Sequence, residues 1–157
     1  MQFKTYELKN INESSLEAIT NVLAIYCQKN NLVVHLCGVL GAGKTTFVRS
    51  FLSNIGYKGK VKSPTYSLVE TYDIEEKNIK VAHADLYRVS RVDELYHIGI
   101  DDYINTNNVM FIEWPEHGGQ FTPKPDVIIT VKVISSDLRD LHVNTNLSSL
   151  IDNLKDL

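Results

Sequence analysis

Gly38-Val39-Leu40-Gly41-Ala42-Gly43-Lys44-Thr45 decides how the rest of the chain is read. It follows an apolar run, Leu32 to Cys37, and opens into a helical pattern, Thr46 to Ile55. Read as G-x-x-x-x-G-K-[ST] between a strand and a helix, it is a phosphate-binding loop. Glycines let the backbone reach positive φ and wrap closely around phosphate oxygens. Their N–H groups, with those opening the next helix, make an anion-binding concavity at a positive dipole end. The candidate phosphate-binding residues are Gly38, Leu40, Gly41, Ala42, Gly43, Lys44, Thr45 and Thr46. Lys44 would add a point charge for the β- and γ-phosphates, and the Thr45 hydroxyl is the expected Mg²⁺ ligand. A bound nucleoside triphosphate follows from this chemistry.

The chain has 157 residues, which suggests one domain spanning 1–157 with room for a real core. A formal net charge of −3 gives no general attraction to nucleic acid, so only weak binding of RNA or DNA by the chain itself is expected. Cys27 and Cys37 form no CxxC pair, and Cys37 reads as a free, buried thiol. The first residues lack an apolar leader segment, and no run approaches transmembrane length. A cytoplasmic setting without membrane contact is the expectation.

On either side of the loop the pattern alternates strands and helices. Asn12 and a Ser14-x-x-Glu17 capping box should open a helix carrying Leu16, Ile19, Leu23, Tyr26 and Cys27 inward, ended by Asn30-Asn31. Leu32 to Cys37 is apolar on both parities, as in a central strand covered on both faces. The helix after the loop buries Phe47, Val48, Phe51, Leu52 and Ile55 and stops at Gly56. Tyr57 to Tyr66 is a loop whose Lys58, Lys60 and Lys62 could touch a phosphate backbone or form a solvated face. Ser67 to Asp73 and Ile79 to Asp85 read as strands whose short connection forces antiparallel pairing, so the sheet is mixed. A Ser90-x-x-Asp93 box caps a short helix, and Gly99 to Asn105 gives another turn. Val109 to Ile112 is a buried strand ending at Glu113, His117 to Pro125 a loop, Val127–Ile134 and Leu138–Thr145 a hairpin, and Leu147 to Leu157 a closing helix.

A phosphate loop needs a carboxylate for its Mg²⁺, at the C-terminal end of a neighbouring buried strand. Asp85 and Glu113 both qualify: one can hold the metal while the other orients or deprotonates the attacking water. Either could instead cap a helix or pair with an arginine such as Arg88. Ser63-Pro64-Thr65 lies where phosphate-loop hydrolases often sense the γ-phosphate, so Thr65 is a candidate switch residue or a plain turn. His83-x-Asp85 has the spacing of a relay, but the five histidines show no ligand spacing, and a core or surface role fits each. Trp114 beside Glu113 could report on nucleotide, contact a partner or simply pack.

These stretches together resemble one family. Gly38 to Thr46, Lys62-Ser63-Pro64-Thr65-Tyr66-Ser67-Leu68-Val69-Glu70-Thr71-Tyr72, His83-Ala84-Asp85-Leu86-Tyr87-Arg88, Asp93 to Gly99 and Ile112-Glu113-Trp114-Pro115-Glu116 are similar to the motifs of TsaE, also called YjeE. That is the small bacterial P-loop ATPase family of the tRNA threonylcarbamoyladenosine machinery. The resemblance implies a three-layer α/β P-loop NTPase-like fold with a central mixed, mostly parallel sheet flanked by helices. It also implies ATP hydrolysis that resets a complex with TsaD and TsaB, with tRNA met indirectly through that complex. Carried over by position, Lys44 contacts phosphate, Thr45 and Glu113 bind Mg²⁺, and Asp85 lies where the family has its catalytic or water-polarising acid, with Thr65 in the switch-like loop. Ser15 falls where the family often has a threonine near the nucleotide base, and Arg139 matches a late arginine near the site. The chain departs from the family at Val39, where an aspartate is usual; phosphate cradling is a backbone function and should survive.

Two other readings remain open on the residues alone. A small-molecule kinase would use a mobile, arginine-bearing lid, yet the arginines are only Arg49, Arg88, Arg91 and Arg139. A nucleotide-dependent binding switch without hydrolysis would not need Lys44, Thr45, Asp85 and Glu113 together.

Overall fold

The structure, a computed structural model, describes residues 2–157. The chain runs β1 (Lys4–Ile11), α1 (Glu13–Cys27), β2 (Leu32–Cys37), α2 (Lys44–Asn54), β3 (Val69–Ile74), β4 (Ile79–Asp85), α3 (Asp93–His97), α4 (Ile100–Thr106), β5 (Val109–Glu113), β6 (Val127–Val133), β7 (Arg139–Thr145) and α5 (Ser148–Lys155). One seven-stranded sheet has the order β1-β7-β6-β2-β5-β4-β3. Its centre, β6-β2-β5-β4, is parallel, and β3 on one side and the β7-β1 pair on the other are added antiparallel. The mixed α/β sheet expected above is observed, its parallel pairings confined to the four central strands.

Strand parity builds the layers. Val34 and Leu36 of β2, Val109 and Phe111 of β5, and Val127 and Ile129 of β6 face the cluster that takes in Leu23 of α1, Phe47 and Phe51 of α2, and Leu154 of α5. Phe111 meets Phe47 and Phe51 edge-on, with centroids 6.3 and 5.0 Å apart. Val33, Ala82, Ala84, Met110 and Ile112 point the other way, against Leu95 of α3 and Ile100 of α4. Each buried aliphatic or aromatic side chain contributes roughly 1.5–3 kcal/mol relative to exposure, so the central strands are held from both sides.

Several local details differ from the sequence expectation. β1 carries only Tyr6, Leu8 and Ile11 half-buried, too sparse an alternation to announce a strand, and it gains its ladder from β7. The Ser14-Glu17 box does not form: Asn12 is the N-cap, and its side chain accepts from the Ser15 amide at 2.8 Å. At α3 the carboxylate that takes the Ser90 and Arg91 amides is Glu94, while Asp93 pairs with Arg91 at 2.7 Å. β3 starts at Val69 because Leu68 sits at φ 68°, outside the strand region.

Residues Pro115–Phe121, which overlap the expected loop His117–Pro125, wind into 3₁₀ turns with a kink at Gly119. A segment that short carries no amphipathic period. Thr122 Oγ1 donates to the Pro115 carbonyl at 2.7 Å, and a Cβ at Gly118 would run into Thr122, Leu95 and Leu86.

Candidate functional site

The loop closing β2 onto α2 is shaped by two glycines with different reasons. Gly38 has φ 147°, and a Cβ there would lie 2.7 Å from the Val131 carbonyl oxygen of β6. Gly43 has φ 110° and caps α2 in the left-handed region, which turns the chain so that the helix points its first turn at the loop. Helix geometry leaves the amides of that turn without carbonyl partners, and the helix dipole adds positive potential. This is an anion-binding concavity built from backbone.

Lys44 is 4% exposed, and its Nζ donates to the carbonyls of Gly38 at 2.8 Å and Val39 at 2.9 Å. The same ammonium lies 4.6 Å from the centre of the Trp114 ring. Trp114 takes that position because it leaves β5 with φ 55°, and its ring packs against Tyr87 and His117. Val39 and Leu40, at the loop tip, are 65% and 70% exposed.

β4 and β5 are parallel neighbours, and their register pairs Asp85 with Glu113. Two carboxylates therefore end adjacent strands beneath the start of α2. Thr45 Oγ1 donates to Glu113 Oε1 at 3.0 Å, and His83 Nε2 lies 2.8 Å from the same oxygen. Asp85 Oδ1 accepts the Tyr87 amide at 3.0 Å, a local turn that holds the side chain at the strand end. Burial pushes the Asp85 carboxyl above its ordinary 3.8; the Tyr87 amide opposes this, the Glu113 charge adds to it, and His83 and Lys44 oppose it. A carboxyl raised in this way is a better proton acceptor than an exposed one. Arg88 pairs with neither acid; its guanidinium lies 4.7 Å over the Tyr66 ring.

The donor set is one hydroxyl and carboxylate oxygens, which suits a hard cation such as Mg²⁺. Among the described residues no group of three His, Cys, Asp or Glu side chains is placed to hold a metal by itself. An ion held between protein and phosphates needs no such cluster, since one or two carboxylates share it with phosphates and water.

Thr65 is half-buried, with its hydroxyl 2.8 Å from Ser63 Oγ. Among the described residues no hydrogen bond joins it to Lys44, Thr45, Asp85 or Glu113. Its loop is nonetheless tied to the site: Leu68 N donates to the Pro64 carbonyl, and Asp85 N donates to the Leu68 carbonyl at 3.0 Å. Lys58, Lys60 and Lys62 are exposed.

On the other side of the loop, Arg139 Nε donates to the Ala42 carbonyl at 2.7 Å, and its guanidinium also holds the Ser135 carbonyl. A cavity of about 340 Å³ opens here, lined by Asn12, Leu16, Gly43, Phe47 and Arg139 among others. Ser15 is exposed and is not among the lining residues; its neighbours Glu13 and Leu16 are. Sequence reasoning did not anticipate the cavity, whose walls come from α1, the loop and the β6–β7 hairpin. It also gave His83 no part at Glu113; the signal was strand parity, which puts His83 on the same face as Asp85.

A glycine loop between a buried parallel strand and a helix, with carboxylates ending the next two strands, defines the class: an α/β protein of the phosphate-loop type. The family described as "Threonylcarbamoyl adenosine biosynthesis protein TsaE" matches residues 11–141. The chain is 44% identical over 122 residues to the tRNA threonylcarbamoyladenosine biosynthesis protein TsaE of Haemophilus influenzae, covering 76% of this chain and 75% of that protein. It is 33% identical over 147 residues to the protein of the same name in Rickettsia felis, covering 92% and 84%. The crystal structure of Bacillus subtilis YdiB shares the fold, with a TM-score of 0.74 at 22% identity over 99% of this chain and 95% of that one. The chain belongs to the TsaE family.

Proposed function

We propose that this chain is a Mg²⁺-dependent ATPase, an accessory subunit of the machinery that makes threonylcarbamoyladenosine next to the tRNA anticodon. It would act in the cytoplasm with TsaD and TsaB, whose complex it resets or regulates, and would meet tRNA through that complex. The observation that carries the reading is the convergence of Lys44, Thr45, Asp85 and Glu113 at the mouth of one backbone anion site. The names of the relatives supply the process.

In this reading the loop amides and Lys44 cradle the phosphates, and Thr45 with Glu113 would hold the metal. A bound Mg²⁺ supplies charge neutralisation at the phosphate oxygens. Asp85, whose carboxyl burial pushes above its ordinary value, orients or deprotonates the attacking water. Arg139 steadies the far wall of the loop by holding the Ala42 carbonyl. No helix among the described residues is long and apolar enough to cross a membrane.

The kinase alternative requires arginines on a closing segment. Here Arg91 is engaged by Asp93, Arg88 by Tyr66 and Arg139 by the loop, which favours hydrolysis over transfer. The decisive experiment is ATP turnover by the purified chain alone and with TsaB and TsaD. Stimulation by the partners is the expected result. Phosphate transfer to a small acceptor, or no turnover under any condition, would overturn the reading.

A further inference from the structure

We propose that His83 is a positioning residue for Glu113: it donates one hydrogen bond that fixes the carboxylate so that a single oxygen is left to meet the metal. The inference rests on the reading of Glu113 as a Mg²⁺ ligand. His83 is fully buried on β4, on the sheet face that α2 covers, with Nε2 2.8 Å from Glu113 Oε1. The Thr45 hydroxyl donates to that same oxygen at 3.0 Å. Oε2 accepts no hydrogen bond among the described residues. Glu113 is thus held by one oxygen and free at the other.

The second ring nitrogen makes the assignment sharper. His83 Nδ1 is buried with no hydrogen-bond partner. An ionised carboxylate can only accept, so Nε2 carries a proton and that N–H is committed to Glu113. A buried polar side chain with an orphaned atom is poor value for stability, since an apolar residue would fill the space without that cost. What His83 adds is orientation, in the manner of groups that sit behind metal-binding carboxylates. It also keeps Oε1 anchored whichever way the Thr45 hydroxyl turns.

Two measurements test this. In the wild-type chain, imidazole ¹⁵N–¹H correlation should show His83 protonated at Nε2; a ring protonated at Nδ1 alone could not donate to Glu113 and would overturn the proposal without any variant. Next, Mg²⁺ is titrated against the ADP complex, and metal-free ADP binding is measured separately, by calorimetry or by Trp114 fluorescence. His83→Leu should weaken Mg²⁺ on the order of 10–100-fold, with metal-free ADP affinity unchanged. His83→Gln, which keeps a donor near the Nε2 position, should recover most of the loss. A folded His83→Leu with wild-type Mg²⁺ affinity, a parallel loss of metal-free ADP binding, or a His83→Gln as impaired as His83→Leu would each refute the positioning role. If the wild-type ADP complex takes up no Mg²⁺, the metal reading of Glu113 itself fails, and this inference with it.

Discussion

On one side of the Gly38–Thr45 loop, Lys44, His83, Asp85 and Glu113 are each less than a tenth exposed, and hydrogen bonds account for the position of every one. On the other side, Arg139 and the ends of α1 and the β6–β7 hairpin enclose a cavity of about 340 Å³ with a largely apolar wall. The same loop forms the border of both. The polar side works by placement: buried charges are costly unless partnered, so each atom has one allowed position. The open side works by volume and shape, and tolerates change. Loss of function should follow this division.

The largest effect is expected at Lys44. Lys44→Ala should weaken ATP and ADP binding by tens- to thousands-fold, because it removes the ammonium that would pair with the phosphates in the site, a truncation that costs roughly 2–5 kcal/mol. Equilibrium binding by calorimetry checks it; affinity within tenfold of wild type would mean that the polar side is not the anion site. Asp85→Asn should lower turnover by on the order of 10²–10⁴ and leave nucleotide affinity nearly unchanged. Should it lose binding instead, the roles given to Asp85 and Glu113 must be exchanged.

A smaller effect belongs to the open side. Arg139→Ala removes the tie to the Ala42 carbonyl and should cost about 1–3 kcal/mol of stability, a typical value for hydrogen bonds to a charged group. Nucleotide binding should weaken without being lost; denaturant titration and calorimetry read the two quantities. A loss as large as that of Lys44→Ala would erase the contrast between the sides.

The smallest effect concerns stability against pH. The folded Asp85 carboxyl titrates above its ordinary 3.8, so its contribution to stability is present below about that value and is lost as pH rises through the folded one. Asp85→Asn should therefore melt slightly higher than wild type at neutral pH, and the gap should close in acid. A lower melting temperature at neutral pH would show that the Tyr87 and Lys44 interactions outweigh desolvation there.

The sequence by itself determined the phosphate loop, the two strand-end carboxylates, the central place of β2 and the mixed sheet. Those signals are local: a loop of fixed spacing, and strands apolar on both parities because helices cover both faces. Tertiary structure decided what depends on partners distant in the chain. β1 exists because β7 supplies its ladder, and the cavity exists because α1 and the hairpin meet across the loop. Capping showed the same limit at close range: Asn12 caps α1 as expected but without the Ser14-Glu17 box, and Glu94 takes the role assigned to Asp93. The bond from His83 to Glu113 was decided last of all. Residue types and spacing put both side chains on the right strands, but only the β4–β5 register brings that nitrogen and that oxygen to 2.8 Å.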